Sequence, residues 1–226
     1  MLFFVYKEVF SVSCENNKKK SVGREIFEWA YSIVIAVVIA FIIKGFLFDV
    51  VRVDGLSMYP NYDDNDRLIV TKLGYTPHQG DAIVLDSNYK KREAHFEALA
   101  EREGKEELSW VRKTKERLTG SGDMRRVFYI KRVIATEGQT VDIRDGKVYV
   151  DGNEYSEPYI SQETYITDAS VVNPFTVSED CVFVMGDNRG NSKDSRSSDL
   201  GEVPKSAILG KANFRIFPFN KIGTVK

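Results

Sequence analysis

Cysteine and histidine are nearly missing from this chain: there are 2 of each in 226 residues. Two cysteines, Cys14 and Cys181, cannot make a disulfide framework. The shortage of histidine narrows the catalytic options more sharply. A Ser-His-Asp arrangement needs a histidine beside a reactive serine. Neither His78 nor His95 lies in a stretch with the character of an active site, and both read as surface residues. Charge of one sign is also lacking. The net charge is −1, so the composition gives no reason to expect nucleic acid as a partner. No internal repeat is evident, and no cofactor motif or metal-ligand pattern stands out. The acidic stretch Asp187, Asn191, Asp194 lacks the terminal Glu that an EF-hand loop requires.

What the chain has in quantity is one long apolar run. From Phe27 to Phe48 it is almost uncharged, with Trp29 and Tyr31 at one end and Lys44 near the other. About twenty helical residues span the ~30 Å hydrocarbon core of a bilayer. Aromatic residues suit its interface, and a lysine near the end can snorkel. The basic cluster Lys18-Lys19-Lys20 with Arg24 stands just before the run and predicts a cytoplasmic N-terminus. A cleavable signal peptide is the competing reading, but Val38-Ile39-Ala40 lies inside the apolar core rather than after it. A buried helix of a soluble protein is the other. The expected organisation is a cytoplasmic segment (residues 1–24), a single-pass anchor (25–48) and an extracytoplasmic domain (49–226). On opposite sides of a membrane, Cys14 and Cys181 could not pair.

Beyond the run the chain reads as mainly β. Leu68-Ile69-Val70, Ala82-Ile83-Val84-Leu85, Val127 to Ile134 and Val182-Phe183-Val184-Met185 are short, β-branched-rich runs bounded by turn residues. Asp145-Gly146 between two alternating segments predicts a hairpin with a type I′ turn. Residues 87–126 break the pattern. They are dense in Lys, Arg and Glu, and Glu97, Glu101 and Lys105 at i, i+4 spacing support a helix that Gly120-Ser121-Gly122 ends. This is an inserted, partly helical excursion. A solvated insertion is the simpler reading; anionic lipid and the secretion machinery are the candidate partners.

Chemistry concentrates in Val53-Asp54-Gly55-Leu56-Ser57-Met58-Tyr59-Pro60. Gly55 permits close backbone approach and Pro60 stiffens the segment. A serine hydroxyl is a weak nucleophile and needs a base. With histidine scarce, a desolvated lysine can serve, because burial penalises the ammonium and lowers its pKa. Lys131 lies in the middle of the apolar run 127–134. It is either an edge lysine facing water or a buried functional amine. Ser87-Asn88-Tyr89-Lys90 fits the S-x-x-K pattern of penicillin-binding enzymes, but the accompanying K-T-G is missing.

Ser57-Met58-Tyr59-Pro60, Gly80-Asp81-Ala82-Ile83-Val84, Lys131-Arg132-Val133 and the stretch from Gly186-Asp187 to Ser195-Arg196 resemble the boxes of the type I (leader) signal peptidases, in that family's order and behind an N-terminal anchor. Lysine at 131 and the single anchor resemble the bacterial, Gram-positive-like branch. The resemblance implies a signal-peptidase-type β catalytic domain with one transmembrane helix, and a membrane-bound serine endopeptidase that removes signal peptides from preproteins. It implies Ser57 as nucleophile and Lys131 as general base. Ser192 would hydrogen-bond the amine, Asp194 and Arg196 would form a supporting ion pair, and Gly186 and Asp187 would shape the floor of the site. Some family members draw an oxyanion donor from a serine side chain two residues before the nucleophile; Gly55 stands there. Met58 is a candidate subsite wall. The alternatives are a self-cleaving Ser-Lys peptidase similar to SOS-response repressors, and a membrane-tethered binding module with both residues inert.

Overall fold

The computed structural model describes residues 22–42, 47–119 and 127–225. Two compact units divide at Ile43/Lys44. The first contains helix α1 (Val22–Ile42), whose Phe27, Trp29, Ile33 and Val34 are all more than half exposed. Among the described residues no helix is long and apolar enough to cross a membrane. The expected basic cluster at 18–20, Cys14, Lys44 and the glycine-rich helix end at 120–122 lie outside the described residues.

The second unit is mainly β. Its strands are β1 (Phe48–Arg52), β2 (Arg67–Thr71), β3 (Ala82–Asp86), β4 (Phe128–Thr136), β5 (Thr140–Arg144), β6 (Lys147–Val150), β7 (Asn153–Glu154), β8 (Phe175–Thr176), β9 (Cys181–Met185), β10 (Val203–Pro204), β11 (Ile208–Phe217) and β12 (Gly223–Thr224). One antiparallel sheet runs β1-β2-β11-β3-β4-β9-β10, with β12 on β11; a smaller one runs β7-β6-β5-β8. The apolar runs read from the sequence are these strands. In β3 every residue is buried, and most of β4 is too, as expected where both faces of a strand are covered. The 145–146 turn forms as expected, with Asp145 at φ 51° and Gly146 at φ 74°, and it sets the register Ile143↔Val148. One apolar cluster (Val53, Met58, Tyr62, Leu68, Val70, Val84, Ile130) packs the residues around Ser57 against β2, β3 and β4.

The inserted segment is two helices, α2 (Tyr89–Arg102) and α3 (Trp110–Thr119). The single helical ladder expected through Lys105 is interrupted. Glu97 and Glu101 lie in α2, but Lys105 falls beyond its end and pairs with Glu103. Phe96, Ala100 and Leu108 form a small core of their own, while Trp110 and Val111 stay exposed. The base of the insertion is tied to the sheet. Ser87 N donates to Val127 O at 2.8 Å, Arg92 pairs with buried Asp86 at 2.6 Å, and Tyr89 OH donates to Glu202 O at 2.7 Å.

Close backbone approach fixes one glycine. A Cβ on Gly210 of β11 would stand 2.1 Å from the Thr71 carbonyl oxygen of β2. Forcing atoms into such a site costs about 1–3 kcal/mol or more. Gly210→Ala is expected to lower the urea midpoint of the isolated 44–226 unit accordingly; an unchanged midpoint would show that β2 and β11 can separate freely there.

Candidate active site

Between β1 and β2 the chain leaves the sheet as a compact turn segment, residues 53–66. Its ends are pinned by Val53 N donating to Asp66 O at 2.8 Å and Asn65 N to Val53 O at 3.0 Å. Inside, Gly55 takes φ 92°, a left-handed conformation that favours glycine, and its N–H donates to Asp64 Oδ1 at 2.9 Å. Asp64 lies in the acidic stretch Asp63-Asp64-Asn65-Asp66. Met58 is 1% exposed in the core beneath; burying such a side chain contributes about 1.5–3 kcal/mol. The turn is thereby held with Ser57 at its outer side.

Ser57 and Lys131 meet. Lys131 Nζ donates to Ser57 Oγ at 2.7 Å and to the Ile130 carbonyl at 2.9 Å. The lysine is 2% exposed, and its nitrogen lies 5.1 Å from the centre of the Tyr129 ring. Burial is the main cause that lowers its pKa, to about 8; the charges of Asp194 and Asp187 pull it upward, and Arg196 opposes them. Both of these hydrogen bonds go to uncharged oxygens, so the pull of the carboxylates reaches the amine without a direct hydrogen bond. Of the two sequence readings of Lys131, the geometry is that of the buried amine.

The neighbouring carboxylates are engaged elsewhere. Asp187 accepts from Arg132 Nε at 2.8 Å and Arg132 Nη2 at 2.7 Å. Asp194 accepts from Arg196 Nε at 2.9 Å and Nη2 at 2.8 Å, and from Gly186 N at 3.0 Å. These four side chains are all nearly inaccessible. With both carboxylates committed to guanidinium groups, a calcium loop in this segment has no free acidic ligands at 187 and 194.

Ser192 differs from expectation. Its Oγ is buried without a hydrogen-bond partner, and Lys131 directs its bonds to Ser57 and Ile130 instead. The Ser192 side chain packs on Gly186, where a Cβ would stand 2.2 Å from Ser192 Oγ and 2.4 Å from the Ser57 carbonyl oxygen. Gly186 is thus a point of close approach between the turn and the 186–196 segment. Gly55 leaves open space, since a Cβ there would meet nothing within 4 Å. A cleft of about 320 Å³ opens beside the pair, walled by residues 51–58 and 128–131, with Asn191 and Lys193 at its rim.

Asn188 carries no signal in the sequence beyond its place in the polar stretch. Its backbone N–H donates to the Ser57 carbonyl at 3.0 Å and its side-chain amide to the Leu56 carbonyl, also at 3.0 Å. The other candidates separate from the site. Ser87 Oγ donates to Val127 O, His78 approaches Asp81 and His95 approaches Glu116.

A serine hydroxyl in contact with a desolvated amine, beside an open cleft and without a participating histidine, is the arrangement a Ser–Lys serine hydrolase needs. The chain belongs to the signal peptidase family, peptidase S26, whose family model matches residues 26–217. Signal peptidase I of Bacillus licheniformis is 35% identical over 215 residues, 91% of this chain and 94% of that protein. Signal peptidase I P of Bacillus subtilis subsp. natto is 34% identical over 218 residues, covering 92% and 96%. Signal peptidase I T of Bacillus subtilis (strain 168) is 31% identical over 225 residues, covering 96% and 97%.

Gly186→Ala tests the close approach. The methyl group must displace either Ser192 or the backbone at Ser57, and a displacement near 1 Å can lower turnover roughly 10²-fold. Turnover should fall on that scale while the far-ultraviolet circular dichroism stays unchanged. Wild-type turnover would show that the 186–196 segment does not support the turn.

Proposed function

We propose that this chain is a membrane-bound serine endopeptidase that removes N-terminal signal peptides from preproteins, with Ser57 as nucleophile and Lys131 as general base. The observation that carries the reading is the 2.7 Å contact between a hydroxyl and a buried amine. Membership of the signal peptidase family supplies the substrate class.

The chemistry follows from the burial. A lysine in water, with a pKa near 10.4, is neutral in roughly one molecule in 3,000 at pH 7; a pKa of about 8 raises this to about one in ten. The neutral amine takes the proton from Ser57 Oγ as that oxygen attacks the scissile carbonyl. The ammonium then returns the proton to the departing amine of the mature protein. The remaining acyl-enzyme is hydrolysed by a water that Lys131 deprotonates in turn. Such proton transfer contributes roughly 10²–10⁴ in rate. The Ser57 backbone N–H is the proposed oxyanion donor. Gly55 offers no side chain for a second one, and the open space beside it leaves room for a water or a backbone donor of the substrate complex.

An extended signal peptide segment fits the cleft between residues 51–58 and 128–131 as an added strand. Met58, buried at its floor, restricts the depth available to a substrate side chain. In the proposed topology residues 25–48 anchor the chain in the cell membrane, with the N-terminus cytoplasmic and residues 49–226 outside. The apolar, largely exposed surface of α1 supports lipid as its surroundings. Relatives that align over nine tenths of the chain are named signal peptidases, which favours this reading over a self-cleaving repressor or an inert binding module.

Two measurements test the proposal. Preprotein cleavage by Ser57→Ala and Lys131→Ala should fall to background; activity equal to wild type in both would remove the dyad. In the wild type, kcat/KM should rise with pH through about 8 as the amine loses its proton, because the neutral form is the active one. A profile flat from pH 6 to 9 would contradict a lysine base. Separately, the full chain should stay with membranes through alkaline carbonate extraction, and release of intact protein would argue against the anchor.

A further inference from the structure

The turn that carries Ser57 lies outside the sheet ladder, so its distance from Lys131 is set by ties outside the ladder, of backbone and of side chains. One of them starts four residues after the serine. Asn61 Nδ2 donates to Asp187 Oδ2 at 2.8 Å and to the Tyr159 carbonyl at 2.8 Å. Both amide hydrogens are thereby used. Asp187 is held in turn by the guanidinium of Arg132, the residue after Lys131. That guanidinium also donates to the Gly80 carbonyl and lies 4.1 Å from the centre of the Tyr159 ring. On the other side, Arg215 Nη2 donates to the Asn61 carbonyl at 2.5 Å and Arg215 pairs with buried Asp66. A continuous path of charge-assisted bonds therefore runs from the serine turn to the base strand: Asn61, Asp187, Arg132.

We propose that Asn61 is a positioning residue for the peptidase reaction, tying the serine turn to the Arg132–Asp187 pair so that the hydroxyl stays within reach of Lys131. The inference rests on the Ser57–Lys131 reading given above. Asparagine suits the place because one short, uncharged side chain gives two N–H donors in a plane. An Asp of the same shape has none when ionised and would oppose Asp187. A Leu of similar size has none at all.

The tie also acts through charge. Lys131 is faced by Asp187, Asp194 and Arg196, with the Tyr129 ring alongside. Around Asn61 stand Arg132, Asp187, Tyr62, Arg215 and Asp66. A donor on Asp187 shares its negative charge, and removing that donor strengthens the pull of Asp187 on the ammonium form of Lys131. Loss of Asn61 should thus raise the pH at which the base becomes neutral, an effect that a purely structural role would not have.

The experiment compares preprotein cleavage by the full chain in detergent micelles for wild type, Asn61→Leu and Asn61→Asp, with Ser57→Ala and Lys131→Ala alongside. The folded fraction of each is read from its thermal transition. In Asn61→Leu, kcat should fall roughly 10- to 100-fold with KM within twofold, and the alkaline rise should move to higher pH. In Asn61→Asp the rise should move further in the same direction. Should Asn61→Leu not fold, the isosteric Asn61→Asp carries the test. A wild-type kcat in either variant, or a loss matched by the folded fraction with the pH rise unmoved, overturns the inference. Cleavage by the Ser57→Ala or Lys131→Ala chain overturns the dyad and this inference with it; inactive dyad variants beside an unaltered Asn61→Leu overturn this inference alone.

Discussion

Everything about this structure turns on keeping the Lys131 amine out of water. A lysine side chain that loses its hydration is unstable as an ammonium ion, and burial is the dominant influence on its pKa here. The fold bears that cost. Between the folded-state value of about 8 and the ordinary value near 10.4, the unfolded chain binds the extra proton and the folded chain does not. Stability from this group therefore rises with pH across that window, and below it the penalty is full. The site is thus held in a state that its own lysine disfavours at neutral pH, and the packing of the rest of the fold must offset that cost.

Desolvation alone would not suffice if a carboxylate lay free nearby. An unpaired anion in a dry site would stabilise the ammonium and cancel the effect of burial. Asp187 and Asp194 are both close enough to be felt by Lys131, and each is met by a guanidinium through two bonds. Buried pairs of this kind add little net stability compared with apolar packing. Their value at this site is geometric and electrostatic. Asp194 also receives the Gly186 N–H, which fixes the backbone under Ser57, and Asp187 receives Asn61. Arg196 offsets part of the carboxylate charge felt by Lys131, and both arginine–carboxylate pairs fasten the segments that carry Ser57 and Lys131.

The β character of the chain was legible because fully buried strands leave apolar runs, and β3 and β9 are such runs with little ambiguity. The 145–146 hairpin was legible because its residues must accept positive φ. Local pattern singled out Ser57 and Lys131 one by one, but 74 residues separate them and only the family resemblance joined them as a pair. Local pattern misled in the insertion, where i, i+4 charges suggested one ladder although the chain turns at Gly104, φ 62°, before Lys105. It was silent on Asn61 and Asn188, since an asparagine in a polar turn looks the same whether its amide meets water or a buried carboxylate. The expected bond from Ser192 to the amine does not form: the amine bonds Ser57 and the Ile130 carbonyl, while the Ser192 side chain packs on Gly186 with its Oγ unpartnered.

The insertion raises a last question of register. It enters the chain between β3 and β4, only a few residues ahead of Lys131, yet β3 and β4 pair without a slip from Ala82↔Arg132 to Asp86↔Phe128. A shift of one residue would send Lys131 to the opposite face and bring Arg132 towards the serine. Length by itself is not the danger, because the entropy of closing a loop grows only slowly with its size. What matters is where the loop is closed. Here the closure is immediate: Ser87 N meets Val127 O, and Asp86, the last residue of β3, pairs with Arg92 in the first turns of α2. Beneath the two helices the ladder holds Lys131 opposite Ile83, with its amine toward Ser57.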